Sequence, residues 1–98
     1  MSLFEEVAAE IEKKAEQMDA FGKKIKLILD DKEIIIDGNT TPPSIQADDN
    51  EVDITVIATT EVFSKILTKE MNPQMALMTG KIKIKGDMMA AVPLMKIF

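Results

Sequence analysis

The sequence predicts an α+β domain, with one five-stranded, mostly antiparallel sheet and its helices gathered into one layer. Three observations predict it. Residues 2–20 carry apolar side chains at helical spacing. Residues 23–37 and 51–59 alternate at the period of two that marks a strand. Between residues 60 and 80 the chain carries two helix starts, one at Thr60 and one at Asn72-Pro73. The predicted order is helix, three strands, a fourth strand, two short helices, a fifth strand and a final helix. At 98 residues this is a single domain, 1–98, with enough chain for one modest core.

Ser2 and Glu5 form a capping box for the first helix. Phe4, Val7, Ala8, Ile11, Ala15 and Met18 make its apolar stripe, and Gly22 is expected to end it. Glu10 and Lys14 on its wet side are spaced for a minor ion pair. Residues 23–37 form a β-hairpin turning at Asp30-Asp31. Ile25, Leu27 and Leu29 lie on one face of its first strand, and Ile34-Ile35-Ile36 supply both faces of the second. Gly38 to Pro43 is a loop, residues 44–47 a short third strand, and Asp48-Asp49-Asn50 a turn. In 51–59, Val52, Ile54, Val56 and Ala58 share a face.

Thr60 caps a helix bearing Val62, Phe63, Ile66 and Leu67. Asn72 caps the next, with Pro73 at the first position, where a missing N–H costs nothing. Gly80 is the exit. Lys81–Lys85 is a strand with Ile82 and Ile84 on one side and three lysines on the other. Gly86-Asp87 turns the chain into a final apolar helix from Met88 to Phe98, in which Pro93 removes a backbone bond and imposes a kink.

Composition excludes several function classes. The chain has no His, Cys, Trp, Tyr or Arg, and a net charge of −5. An acidic surface without arginine is a poor match for nucleic acid. Ser2, Ser44 and Ser64 have no histidine to activate them. The acids Asp30, Asp31, Asp48, Asp49 and Glu51, with Asn50, lack calcium-loop spacing and read as solvated turn residues. The expectation is no catalytic residue, no metal and no cofactor. No apolar run reaches the roughly 20 residues of a membrane span. The N-terminus lacks a secretory pattern and no cysteine implies an oxidising compartment, so a cytoplasmic location is the default.

Six of the eight methionines fall within residues 71–95. Met71, Met75, Met78, Met88, Met89 and Met95 fit two readings: filler between short helices, or an adaptable surface for a ligand of variable shape. Lys81, Lys83 and Lys85 could meet an anionic headgroup, but protection of an edge strand is the commoner use. Asn72–Asp87, with the run Gly80-Lys81-Ile82-Lys83-Ile84-Lys85-Gly86-Asp87, resembles the sterol carrier protein type 2 (SCP2) domain family. So do the lysine-rich first strand and Thr55-Val56-Ile57-Ala58-Thr59-Thr60-Glu61 leading into Phe63. The resemblance covers roughly residues 20–97. It implies a sheet with helices over one face and an apolar tunnel between them that takes sterols, fatty acids, acyl-CoAs or phospholipids. The chain lacks the Ser-Lys-Leu ending that sends some relatives to peroxisomes.

The expected function is therefore non-enzymatic binding or transfer of a lipid or other hydrophobic ligand. Phe63, Ile66, Ile82 and Ile84 would line the chamber. Met71, Met75 and Met78 would join them from one side, and Met88, Met89, Val92 and Met95 from the final helix. Gln74 and Thr79 would orient a headgroup. An empty apolar pocket of about 300 Å³, at about 24 cal/mol per Å³, costs about 7 kcal/mol, comparable to a domain's whole stability of roughly 5–15 kcal/mol. Such a pocket should collapse, hold water or keep a ligand. The alternative function is a protein–protein interaction or homodimerisation module with a vestigial pocket, and transient membrane contact stays open under either. A small enzyme acting on lipids is the third reading, opposed by the missing reactive side chains.

Overall fold

The computed structural model describes residues 2–45 and 52–87. The predicted final helix, with Met88, Met89, Val92, Pro93 and Met95, lies outside the described residues. So do the turn at 48–50 and positions 46–47 of the third strand.

Helix α1 is Leu3–Ala15. Its capping box forms as the sequence requires: Glu5 N donates to Ser2 Oγ at 3.1 Å, and Ser2 N donates to Glu5 Oε1 at 3.3 Å. These bonds to the Ser2 backbone and side chain hold the Glu5 carboxyl below its ordinary value. Val7, Ile11 and Ala15 are buried, with Phe4, Ala8 and Met18 packed at the margin. The helix stops five residues short of the expected Ala20. Phe21 N and Gly22 N both donate to Gly38 O at 2.8 Å, and Ala20 N donates to Thr41 Oγ1 at 2.8 Å. Acceptors on a distant loop replace the helix's own. The Glu10–Lys14 ion pair does not form among the described residues; the helical pair that does is Glu61–Lys65, at 3.4 Å.

Five strands follow: β1 (Lys24–Leu29), β2 (Lys32–Asp37), β3 (Ser44–Ile45), β4 (Ile54–Ala58) and β5 (Lys83–Gly86). Their order across the sheet is β3-β2-β1-β4-β5. Three neighbouring pairs are antiparallel; β1 and β4 are parallel, with Leu27 opposite Val56. The hairpin register places Leu27 opposite Ile34 and Ile25 opposite Ile36. The turn is Asp30-Asp31, with Asp30 at φ +59.

Alternation gives the sheet two unlike faces. Ile25, Leu27, Leu29, Ile34, Ile36, Ile54, Val56 and Ala58 are buried on the face that meets Val7 and Ile11 of α1 and Phe63, Ile66 and Leu67 of α2 (Thr60–Leu67). The opposite face carries Lys24, Lys26, Glu33, Thr55, Lys83 and Lys85, with Ile28, Ile35 and Ile57 between them. Lys26 and Glu33 pair across it at 3.2 Å. One apolar face and one charged face is the arrangement of an α+β layer pair.

Other boundaries also differ from expectation, and β4 begins at Ile54 rather than at 51. Thr59, not Thr60, caps α2: its Oγ1 accepts from Val62 N at 3.1 Å. Thr60 is the first helical residue, and its N–H donates to Asp30 Oδ2 at 3.1 Å. The last strand begins at Lys83, because Lys81 N and Ile82 N are taken by Ala76 O at 2.9 and 3.3 Å. Gly86, expected in a turn, ends that strand instead.

Candidate functional site

The segment that the sequence singled out begins where α2 ends. Lys69 takes φ +66, the left-handed cap more often given to glycine. Met71 N donates to Lys65 O at 3.1 Å, so the backbone of Met71 is pinned to the end of α2. Asn72 Oδ1 then accepts from Gln74 N at 2.8 Å and Met75 N at 3.3 Å, opening α3 (Pro73–Met78). Pro73 occupies the first turn, and Gly80, at φ +78, follows the helix. The local chemistry is therefore as the sequence implied.

What α3 does with its side chains is less expected. Ala76 is its one buried residue. Met75, Leu77 and Met78 are 56%, 42% and 81% exposed. The helix touches the body through its smallest side chain and turns its large apolar ones outward. Ala76 O also holds Lys81 N and Ile82 N, so the start of β5 and the helix are tied at one carbonyl.

The expected lining residues thus fall at three depths. Phe63, Ile66 and Ile82 are buried in the core cluster together with Ala76. Met71 and Ile84 are half-buried against that cluster. Met75 and Met78 stand in solvent. Met88, Met89, Val92 and Met95 lie outside the described residues. Gln74 and Thr79 are both exposed, and the Thr79 hydroxyl donates back to Met75 O at 2.8 Å. Leu77 was absent from the sequence-derived set. Its signal was available: in a six-residue helix only the small Ala76 fits a close approach, which leaves its neighbours facing out.

Lys83 and Lys85 are exposed on β5, an outermost strand of the sheet, where lysine discourages further strand pairing. Lys83, Lys85 and Lys81 make no ion pair among the described residues. A surface groove of about 490 Å³ runs between α1 and α2, with Leu3, Val7 and Leu67 beside Glu6, Glu10 and Lys13. Among the described residues no cluster of His, Cys, Asp or Glu could hold a metal, and no helix is long and apolar enough to cross a membrane. Ser64 borders the groove, and the chain contains no histidine to pair with it.

Comparison with known proteins agrees with this fold. SCP2-like 2 from Aedes aegypti is similar with a TM-score of 0.76 at 20% identity, over 98% of this chain and 96% of that one. Sterol carrier protein 2 from Yarrowia lipolytica, in its apo form, gives 0.64 at 22%, over 93% and 72%. At these identities the likeness is one of fold. In sequence, human hydroxysteroid dehydrogenase-like protein 2 is 40% identical over 48 residues, which are 49% of this chain but only 12% of that protein. The SCP-2 sterol transfer family matches residues 4–98, nearly the whole sequence, and the chain belongs to that family.

Proposed function

We propose that this domain binds, and hands on, a lipid or other hydrophobic ligand in an apolar chamber between the sheet and its helices, without catalysing a reaction on it. The observation that carries the proposal is the anchoring of α3. A helix that buries only Ala76, with methionines graded from solvent to the margin of the core, is a wall that can move at low cost. Met78 and Met75 would take the ligand from outside. Met71 and Ile84 would flank its passage, and Phe63, Ile66 and Ile82 would close the inner end. Met88, Met89, Val92 and Met95 would complete the lining. Each side chain is replaceable by ligand surface because methionine accommodates many shapes. The driving force is removal of lipid surface from water, at about 25 cal/mol per Å².

Family membership supports a lipid-class ligand. It does not select sterol over an acyl chain, and the apolar side chains named here discriminate by shape and length alone. The dehydrogenase chemistry named in the human relative belongs to a much longer protein, and no such activity is proposed here. A cytoplasmic location and a single ligand-binding domain over 1–98 are part of the proposal. Native mass spectrometry of purified protein, before and after mixing with fatty acids, acyl-CoAs and sterols, tests it. One bound lipid per chain is expected, with a rise in melting temperature. Bare protein whose melting temperature ignores every lipid tried would overturn the proposal.

A further inference from the structure

The chain has eight methionines and no His, Cys, Trp or Tyr, so the thioether is the one side-chain group in it that a peroxide readily oxidises. The fold offers its described methionines unequally. Met78 is 81% exposed and Met75 56%, whereas Met18 and Met71 are half-buried against the core cluster. Met75 and Met78 lie three positions apart on α3, so their side chains are neighbours on the helix surface. Leu3 and Leu77, the other large hydrophobic residues exposed among the described residues, carry no sulfur. The way α3 is held matters as much as the exposure. The bonds that cap it and tie it to the residues before β5 use Asn72 Oδ1, Met75 O and Ala76 O, atoms that oxidation of a thioether leaves untouched. Its one buried side chain is Ala76. Oxidation of a core methionine drives a polar group into the interior; at Met75 and Met78 the added oxygen meets water.

From this we infer that Met75 and Met78 form a reversible oxidation site, and that their oxidation by a peroxide shuts the outer end of the ligand path without unfolding the domain. At each residue the thioether sulfur attacks one peroxide oxygen and the O–O bond breaks. The sulfur is oxidised by two electrons to a sulfoxide. The peroxide is reduced to water, its second oxygen leaving with both protons. A polar, chiral hydrogen-bond acceptor then stands where an apolar, pliable side chain had been. Two of them side by side replace the patch assigned above to first contact with the lipid. Methionine sulfoxide reductases, one for each epimer, would restore the thioethers. The effect on capture rests on the carrier reading, whereas the oxidation chemistry stands apart from it.

Peptide mapping by mass spectrometry after graded hydrogen peroxide tests the site. Met78 and Met75 should oxidise about tenfold faster than Met18 and Met71. Protein carrying both sulfoxides should melt within about 4 °C of the untreated protein. In native mass spectrometry with a fatty acid it should capture lipid about tenfold more weakly, and reduction by the two sulfoxide reductases should return the loss. Met75→Leu/Met78→Leu has no sulfur at either position, so peroxide should lower its capture by no more than about twofold relative to its own value before treatment. Oxidation of Met18 and Met71 as fast as Met75 and Met78 overturns the inference, and so does unfolding of the doubly oxidised protein. So does capture unchanged by both sulfoxides, or a double variant whose capture falls as far as that of wild type. Wild-type protein that captures no lipid before peroxide removes the carrier reading and with it the effect on capture; mapping and melting then decide the oxidation site alone.

Discussion

Asp30 occupies the first position of the hairpin turn at φ +59, which aspartate tolerates better than most residues. Its carboxylate accepts from the Thr60 N–H at 3.1 Å and from the Thr60 side chain, and these bonds hold its pKa below the ordinary value. A depressed folded-state pKa means that the unfolded chain takes up the proton first as pH falls. The stabilisation is thus full above about pH 4, the unfolded aspartate value, and is lost as pH drops through the lower folded value. Asp30→Asn should melt below wild type at pH 6, and the gap should shrink as pH falls below about 4. A gap of constant size across that range would assign the effect to turn geometry. Gly86 shows a different constraint. It sits at φ +110, and a Cβ there would lie 2.5 Å from Asp53 O, a backbone atom that the sheet fixes. Gly86→Ala should cost about 2–4 kcal/mol in urea unfolding, from strain and a contact that cannot relax. The sequence marks Gly86 as special but not why, since Asp53 lies more than thirty positions away.

Among the elements, the helices differ in what holds them. α1 buries Val7 and Ile11 and α2 buries Phe63, Ile66 and Leu67, whereas α3 buries Ala76. Local capping therefore carries an unusual share of α3's stability. Asn72→Ala removes an acceptor of two backbone N–H groups and should cost about 1 kcal/mol locally. Hydrogen exchange checks it: amides of residues 75–80 should exchange several-fold faster in the variant, with those of β1 and β4 unchanged. Such a helix is expected to open at lower free energy than α1 or α2, as the proposed binding wall requires. Helix starts were legible because a cap is a contact between residues two or three apart. Ser2 and Asn72 act where the sequence placed them, and Thr59 takes the role expected of Thr60, whose N–H donates to Asp30. Helix and strand ends were less legible. α1 ends at Ala15 because Gly38 and Thr41 supply acceptors to residues 20–22, and β5 starts at Lys83 because Ala76 holds the two residues before it. Both are contacts across the fold.

For the whole molecule, the sheet order β3-β2-β1-β4-β5 puts β1 at the centre, with Leu27 fully buried between Ile34 and Val56. Leu27→Ala should cost about 2–5 kcal/mol, a large part of the stability of a 98-residue chain, and a urea midpoint would show it. A ligand at 100 times its dissociation constant should return about 2.7 kcal/mol to either protein, since it binds only the folded state. A ligand that protects neither contradicts an internal chamber. By itself the sequence determined the fold class, the hairpin and its turn, the caps of α1 and α3 and the apolar faces. Each of these rests on periodicity or on contacts between near neighbours, which composition and spacing encode directly. Only the tertiary structure decided that β1 and β4 run parallel, where α1 stops, and how deep each predicted lining residue sits. Phe63 and Met78 are both apolar and both on short helices, yet one is buried and the other stands in water. The difference comes from which elements the chain brings alongside them, a long-range choice that no local pattern carries.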